Sequence, residues 1–298
     1  MKVATWSLCI SCVLLVLLAC VVQCMRATSI MELRVFKRLQ CRVPAVCMPN
    51  TTIPKVIYRT AKTKTLTPAH QEAWDFTAKH NPEFQQVLLD DDDADAFMRT
   101  AMNGYAYDAY RALVPGAAKA DLLRYVLMYV KGGVYLDIKS GARELCRLIR
   151  PGDQMLVSTW STKWSNSLSI VLFAAVGKTP VVPASFGELE QWWLVCAPGH
   201  PVMQKVVQEV VTSLEERKRQ GRLQKEAHPW LKKNTYAWDV LNTTGPYAFT
   251  RVVTKAFSAD EPHVRLVCAD ANATCLYDVA GTHQGAASYG DKGLLLRP

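Results

Sequence analysis

The sequence predicts an α/β fold with a mainly parallel central sheet in one domain. Three observations carry this: short apolar strands alternate with helical patterns, two of the helices end at glycines, and no linker or repeat divides the chain after residue 52. The first strand is expected at Lys55-Val56-Ile57-Tyr58, after Pro54. Thr67 and Pro68 then open a helix through Trp74 and Phe76, with Thr67 as N-cap and Pro68 at the first helical position. Gln86 to Leu89 reads as a second strand that runs into the acidic run Asp90 to Asp93, taken alone a solvated turn. Ala118 to Lys131 is a strongly apolar helix closed by Gly132-Gly133, and Val134 to Leu136 is a third strand. Further strands are expected at Met155 to Ser158 and Ser169 to Val176. Apolar residues recur at helical spacing from Val202 to Leu214, so His200 to Gln220 is a helix, ended by Gly221.

Composition bounds the function classes. Of 298 residues about half are apolar, enough for a sizeable core. The net charge is +9, but the lysines and arginines are scattered, and Glu215 to Arg219 reads as a solvated helix end. With no zinc finger, RNA-binding signature or basic arm, no nucleic-acid partner is expected. Residues 3 to 25 carry no charge, and Trp6 to Val22 is almost wholly apolar, long enough to cross a bilayer as a helix. Residues 1–25 are therefore expected to be a signal anchor, or else a cleaved signal peptide, with 26–52 as a stem and 53–298 as the globular domain. Charge flanking would place the C-terminal side in the cytosol, since Arg26, Arg34, Lys37 and Arg38 follow the span. Other features outweigh that. Three of the seven asparagines, Asn50, Asn242 and Asn272, begin Asn-x-Thr sequons, and six cysteines lie beyond the span. Cys41 with Cys47 and Cys268 with Cys275 could pair locally; buried free thiols are the alternative.

The segment KADLLRYVLMYVKGGVYLDIK carries the chemistry. Asp121 and Arg124 lie three apart in an apolar helix, on one face. Burying both requires that they be paired and hydrogen-bonded, either as a structural lock or as the lining of a polar pocket. The following strand ends at Asp137, and ligands of open α/β sheets bind at the carboxyl ends of strands.

At these residues the chain resembles the glycosyltransferases with a DXD sugar-binding region, glycosyltransferase family thirty-two. IPKVIYRT, NPEFQQVLLDDDD, KADLLRY with GGVYLD, EQWWLVCAPGHPVMQ, TTGPYAFT and GTHQGAASY match in order, from Ile53 to about Tyr289. The resemblance implies a GT-A-like fold and transfer of a hexose, with retention, from a nucleotide sugar (GDP-mannose or a UDP-hexose) to a glycan or glycolipid acceptor. It implies Asp121 and Arg124 on the donor sugar, Asp137 beside sugar, ribose or metal, Arg59 and Thr60 near the nucleotide, and His283 and Ser288 over the diphosphate. A type II protein of the Golgi or ER membrane, with a lumenal domain, is the expected setting; a secreted or periplasmic protein follows if residues 1–25 are cleaved. Trp192 and Trp193 read as core or as a wall on the acceptor side.

One position departs from the family pattern. The signature Asp-x-Asp reads Asp137-Ile138-Lys139. Two carboxylates at that spacing hold Mn²⁺ or Mg²⁺ against the donor's diphosphate. Three readings follow: Asp137 and His283 still hold a metal, Lys139 itself neutralises the leaving diphosphate, or the protein binds nucleotide sugar or glycan without catalysis.

Overall fold

The computed structural model describes residues 51–158, 188–226, 236–258, 264–267, 276–278 and 294–297. The apolar span at residues 1–25, the stem up to residue 50, the strand expected at Ser169 to Val176, and His283 and Ser288 lie outside them. Among the described residues no helix is long and apolar enough to cross a membrane.

Strands β1 (Val56–Thr60), β2 (Gln85–Leu89), β3 (Gly133–Leu136), β5 (Met155–Ser158), β6 (Trp193–Cys196) and β7 (Val264–Val267) form one sheet in the order β2-β1-β3-β6-β5-β7. β1 runs parallel to β2 and β3, and β5 runs parallel to β7, whereas β6 is antiparallel to both of its neighbours. The sheet is thus mixed but mainly parallel, as the alternation of elements predicts. A second, two-stranded sheet pairs β4 (Ser140–Ala142) with β8 (Leu276–Asp278).

The pleat sorts side chains onto two cores. Ile57, Val134, Leu136, Leu156, Trp193 and Val195 face one apolar cluster, which also holds Leu145, Leu148 and Ile149. Tyr135, Met155, Val157, Leu194 and Cys196 face the other, built with the helices. Trp193 is therefore a core residue, 1% exposed. At the centre of the larger core runs α4 (Gly116–Lys131), whose residues 121 to 128 are all buried. It packs on β3, β6 and α6 (Pro201–Arg219), and α6 in turn packs on α8 (Pro246–Ser258). Helix α4 starts two residues earlier than its periodicity suggests, because Pro115, held extended, serves as the cap.

Several elements are capped as their sequence dictates. In α1 (Pro68–His80) the Thr67 side chain accepts a hydrogen bond from the His70 N–H. The acidic run is a helix start rather than a turn. Asp90 caps α2 (Asp91–Thr100) in a reciprocal box with Asp93, and Asp91 to Asp93 place negative charge at the positive end of the helix. Three further short α-helices belong to the described fold, α3 (Tyr107–Ala112), α5 (Leu145–Leu148) and α7 (Ala237–Thr243).

The Gly132-Gly133 turn is a steric requirement. Both residues have positive φ, and a Cβ on Gly133 would lie 2.6 Å from the Val56 carbonyl oxygen, main chain of the neighbouring strand. Gly133→Ala is expected to cost about 2 kcal/mol or more and to lower the melting temperature by several degrees, measurable by circular dichroism; an unchanged Tm would contradict this account of the turn.

Candidate donor site

The carboxyl ends of the three adjacent parallel strands, β2, β1 and β3, open on one edge of the sheet, where Asp90, Thr60 and Asp137 follow one another across it. The loop from Asp137 to Ser140 is fixed from beneath by Arg59. Its Nη1 donates to the carbonyl oxygens of Asp137 (3.2 Å), Ile138 (3.2 Å) and Ser140 (2.6 Å). Its Nη2 donates to Thr77 Oγ1 at 2.7 Å and its Nε to Gln86 Oε1 at 3.2 Å. Arg59 is fully buried. Its expected place beside the nucleotide is corrected to one inside the protein: the guanidinium is spent on the loop's main chain, and burial lowers its pKa to about 10, opposed by Tyr135 and Asp137. Thr60, the next residue, does face the edge, with Oγ1 3.0 Å from the Tyr135 hydroxyl.

Asp121, Arg124 and Asp137 come together. Arg124 Nη2 lies 3.4 Å from Asp121 Oδ1, and Nη1 lies 3.1 Å from Asp137 Oδ1. Nη1 also donates to the Gln191 carbonyl at 2.9 Å, Nε donates to the Ala120 carbonyl at 3.2 Å, and the guanidinium stands over the Tyr135 ring, 4.8 Å from its centroid. Nothing of Asp121 is exposed; its oxygens accept from Gln191 Nε2 and Thr244 Oγ1, each at 3.0 Å. One cation thus serves two carboxylates, leaving a net negative charge. Burial consequently wins over Arg124 at Asp121 and pushes its pKa up to about 6, while the two carboxylates and Tyr135 hold Arg124 well above its usual range against the cost of burial. Asp137 is the open end of the group, with its side chain 26% exposed. Its Oδ1 also accepts from the Tyr135 hydroxyl at 3.3 Å, while Oδ2 takes no hydrogen bond from the described residues.

Sequence reasoning missed the supporting shell. Gln191 sits just before β6 and bridges both ends of the Asp121–Arg124 pair; Tyr125 donates to its Oε1 and, at 3.0 Å, to the Thr244 carbonyl. Next to Gln191, the buried Glu190 accepts from Ser158 Oγ and, at 2.9 Å, from Trp193 Nε1, and burial raises its pKa. The signal was present in EQWW and TTG, polar residues set against apolar ones, but sequence spacing gives no reason to bring them to Asp121.

Beside the triad lies a cleft of about 580 Å³ whose lining includes Thr60, Asp90, Asp91, Asp95, Tyr110, Lys119 and Ala120. Thr60 joins it to Asp137 through the Tyr135 hydroxyl. Lys139 is partly buried in the clamped loop, two residues beyond Asp137. For a divalent cation this loop offers one uncommitted carboxylate oxygen, Asp137 Oδ2, and an ammonium where a second carboxylate would stand. No group of three metal-ligating side chains occurs among the described residues.

Comparison with known proteins finds similarity in this region. Residues 67–145 match the family described as "Glycosyltransferase sugar-binding region containing DXD motif". Over these residues, about a quarter of the chain, the sequence is similar to that sugar-binding region. It is 25% identical over 190 residues to an initiation-specific alpha-1,6-mannosyltransferase of Candida albicans, covering 62% of this chain and 46% of that one. It is 30% identical over 94 residues to inositol phosphoceramide mannosyltransferase 3 of Schizosaccharomyces pombe, covering 31% and 26%. The chain therefore spans less than half the length of either relative. Among solved structures, a PaToxG glycosyltransferase is similar at 17% identity and a TM-score of 0.43, over 70% of this chain and 71% of that one. The matched region contains Asp121, Arg124, Asp137 and Lys139, but not Gln191 or Thr244.

Two outcomes test the electrostatics of the Asp121–Arg124–Asp137 group. Arg124→Ala leaves two facing carboxylates without their cation and is expected to cost about 3 kcal/mol by urea unfolding; a loss under 1 kcal/mol would mean that the pair is solvated. For Asp121, folding raises the pKa above the usual value of 3.8, so its contribution to stability is full below pH 4 and is lost as pH rises through about 6. Asp121→Asn keeps the shape: its amide can donate to Thr244 Oγ1, which itself donates to the Val240 carbonyl at 3.3 Å. Between pH 4 and 6.5 wild type should lose roughly 1–3 kcal/mol relative to this variant; parallel stability curves would refute the raised pKa.

Proposed function

We propose that the protein transfers a hexose, with mannose as the first choice, from a nucleotide sugar to a hydroxyl of a glycan or glycolipid, with retention of configuration. The observation that carries the proposal is the buried Asp121–Arg124–Asp137 group, open only at Asp137, on the carboxyl edge of parallel strands and within the matched sugar-binding region. The names of the two relatives supply mannose, and that of the second a lipid as one acceptor.

In this reading Asp137, the open end of the group, and the edge of Arg124 meet the sugar's hydroxyls, while Asp121, fully buried, holds Arg124 in place from behind. Asp137 lies beside the sugar or ribose, Thr60 faces the nucleotide, and Ser288 lies near the diphosphate. The acceptor oxygen bonds to the anomeric carbon as the bond from that carbon to the diphosphate oxygen breaks. The acceptor's proton passes to a diphosphate oxygen or to Asp137 Oδ2. Mn²⁺ or Mg²⁺, held by Asp137 and His283, would supply charge stabilisation of the leaving diphosphate when bound. Lys139 brings a fixed positive charge to the same loop and can take up part of that work. A GT-A arrangement agrees with the mixed, mainly parallel sheet.

A second reading, a nucleotide-sugar- or glycan-binding protein without turnover, is favoured by one observation, the lysine where the family places its second aspartate. As for setting, Cys146 is disulfide-bonded, which together with the sequons and the apolar residues 3 to 25 supports a lumenal domain anchored in the Golgi or ER membrane. The disulfide adds a pairing of Cys146 that the sequence did not suggest.

Purified full chain should hydrolyse or transfer from at least one of GDP-mannose, UDP-galactose, UDP-glucose and UDP-N-acetylglucosamine. Lys139→Ala is expected to lower kcat by about 10²-fold or more if the ammonium stabilises the leaving group. Activity lost in chelator and restored by manganese, with Lys139→Ala unaffected, would assign that work to the metal. Binding of donor with no turnover under any condition would establish the second reading.

A further inference from the structure

The chain enters the described fold at the end of the sheet opposite the candidate site. Ile53 is buried in the smaller core, and the exposed Thr52 donates from Oγ1 to the Asp153 carbonyl at 3.0 Å. Both residues precede β1 and so lie at the amino ends of the parallel strands. Main-chain hydrogen bonds knit the turns there into one surface. The Gln85 N–H donates to the Lys55 carbonyl at 3.0 Å, that of Ala197 to Gln154 at 2.6 Å, and that of Gly199 to Tyr129 at 2.7 Å.

This edge is positive. Lys55 is exposed just before β1, as are Lys79 in the last turn of α1, Lys131 at the end of α4 and Lys205 early in α6. Arg150 adds a half-buried cation beside Asp153. Asp153 is itself buried and paired with Arg265 at 2.6 Å, so those two charges cancel, and Glu83 is the exposed carboxylate nearby. At the carboxyl edge the balance is reversed, with Asp90, Asp91, Asp92, Asp93 and Asp137 against Lys62, Lys64 and Lys139. Cations that look scattered along the chain are thus gathered by the fold on one side. The sequence leading into that side is basic too: within residues 26–50, Arg26, Arg34, Lys37, Arg38 and Arg42 stand against Glu32.

We infer that the amino edge of the sheet rests on the phosphate headgroups of the membrane that holds residues 1–25, so that the donor site faces away from the bilayer. The inference rests on reading residues 1–25 as an anchor. Lysine and arginine close to a phospholipid surface are attracted to its phosphates, and the attraction fades within a Debye length. The basic residues of 26–50 draw the connecting segment onto the surface, which keeps the edge within that range. The acidic edge is repelled, and this fixes which way the domain stands. The run from Ile53 to Thr60, at about 3.3 Å per residue, sets the donor site roughly 20 Å from the headgroups. An acceptor hydroxyl must then stand clear of the bilayer, as it does on an extended glycan.

Amine-reactive footprinting of the full chain, read by mass spectrometry in detergent and in nanodiscs, tests the inference. In discs of phosphatidylcholine mixed with phosphatidylinositol, Lys55, Lys79 and Lys131 should lose reactivity about threefold or more relative to detergent, while Lys62 and Lys64 keep theirs. Added salt should weaken the protection. A chain carrying both Lys55→Glu and Lys131→Glu should lose the protection at Lys79, with donor hydrolysis in detergent unchanged. Unaltered reactivity at Lys55 and Lys131 in the discs, or equal protection of Lys62 and Lys64, would overturn the orientation and leave the anchor standing. A full chain that fails to enter the discs would overturn both, whereas the hexose-transfer reading is judged separately by donor turnover.

Discussion

A single buried guanidinium, that of Arg124, links the helix at the centre of the core to both loops at the sheet's carboxyl edge. It touches Asp121 on its own helix, Asp137 after β3 and the Gln191 carbonyl before β6. Ion pairs of this kind do little for net stability, because desolvation offsets attraction. Their effect here is positional. The one cation holds three separate chain segments in register, and the remaining negative charge faces outward at Asp137. The packing of α4 between the sheet and α6 makes this possible, since only a helix buried along most of its surface can keep water from that cation.

The neighbouring layer repeats the principle with a different residue. Arg59 holds the Asp137 loop by its carbonyl oxygens, and Asn81 holds the start of the next helix by the Leu145 N–H at 2.8 Å and the Ala142 carbonyl at 2.7 Å. Buried polar side chains therefore satisfy the main chain wherever the sheet gives way to loop, as a wet edge built on a dry core requires.

Much of this was legible in the sequence, and the limits are physical. Strands β1, β2, β3 and β5 and helices α1, α4 and α6 follow from local pattern, caps and glycines, which act over a few residues. The Asp121–Arg124 pair was legible because both sit on one helix, and Asp137 because it ends a strand. The antiparallel β6, the helix at Pro246–Ser258 and the contacts of Gln191 and Thr244 were not, since a strand's direction and a partner 70 or 123 residues distant leave no periodicity to read. Arg59 was misplaced for a related reason. An arginine at a strand's end reads as reaching outward, and only the loop folded over it shows that it works inward. Asp90 to Asp93 show the converse: alone they resemble a solvated turn, whereas the reciprocal cap makes them the start of a helix.

The way Arg59 grips its loop has a consequence for how such a site changes over time. The hold is on the main-chain oxygens of residues 137, 138 and 140, so the loop's path is independent of which side chain occupies position 139. A carboxylate could give way to an ammonium there in one substitution without disturbing the scaffold. The fold thus separates the architecture of the loop from its charge, and the chemistry at that position can drift, or be selected, while the geometry around Asp137 stays in place.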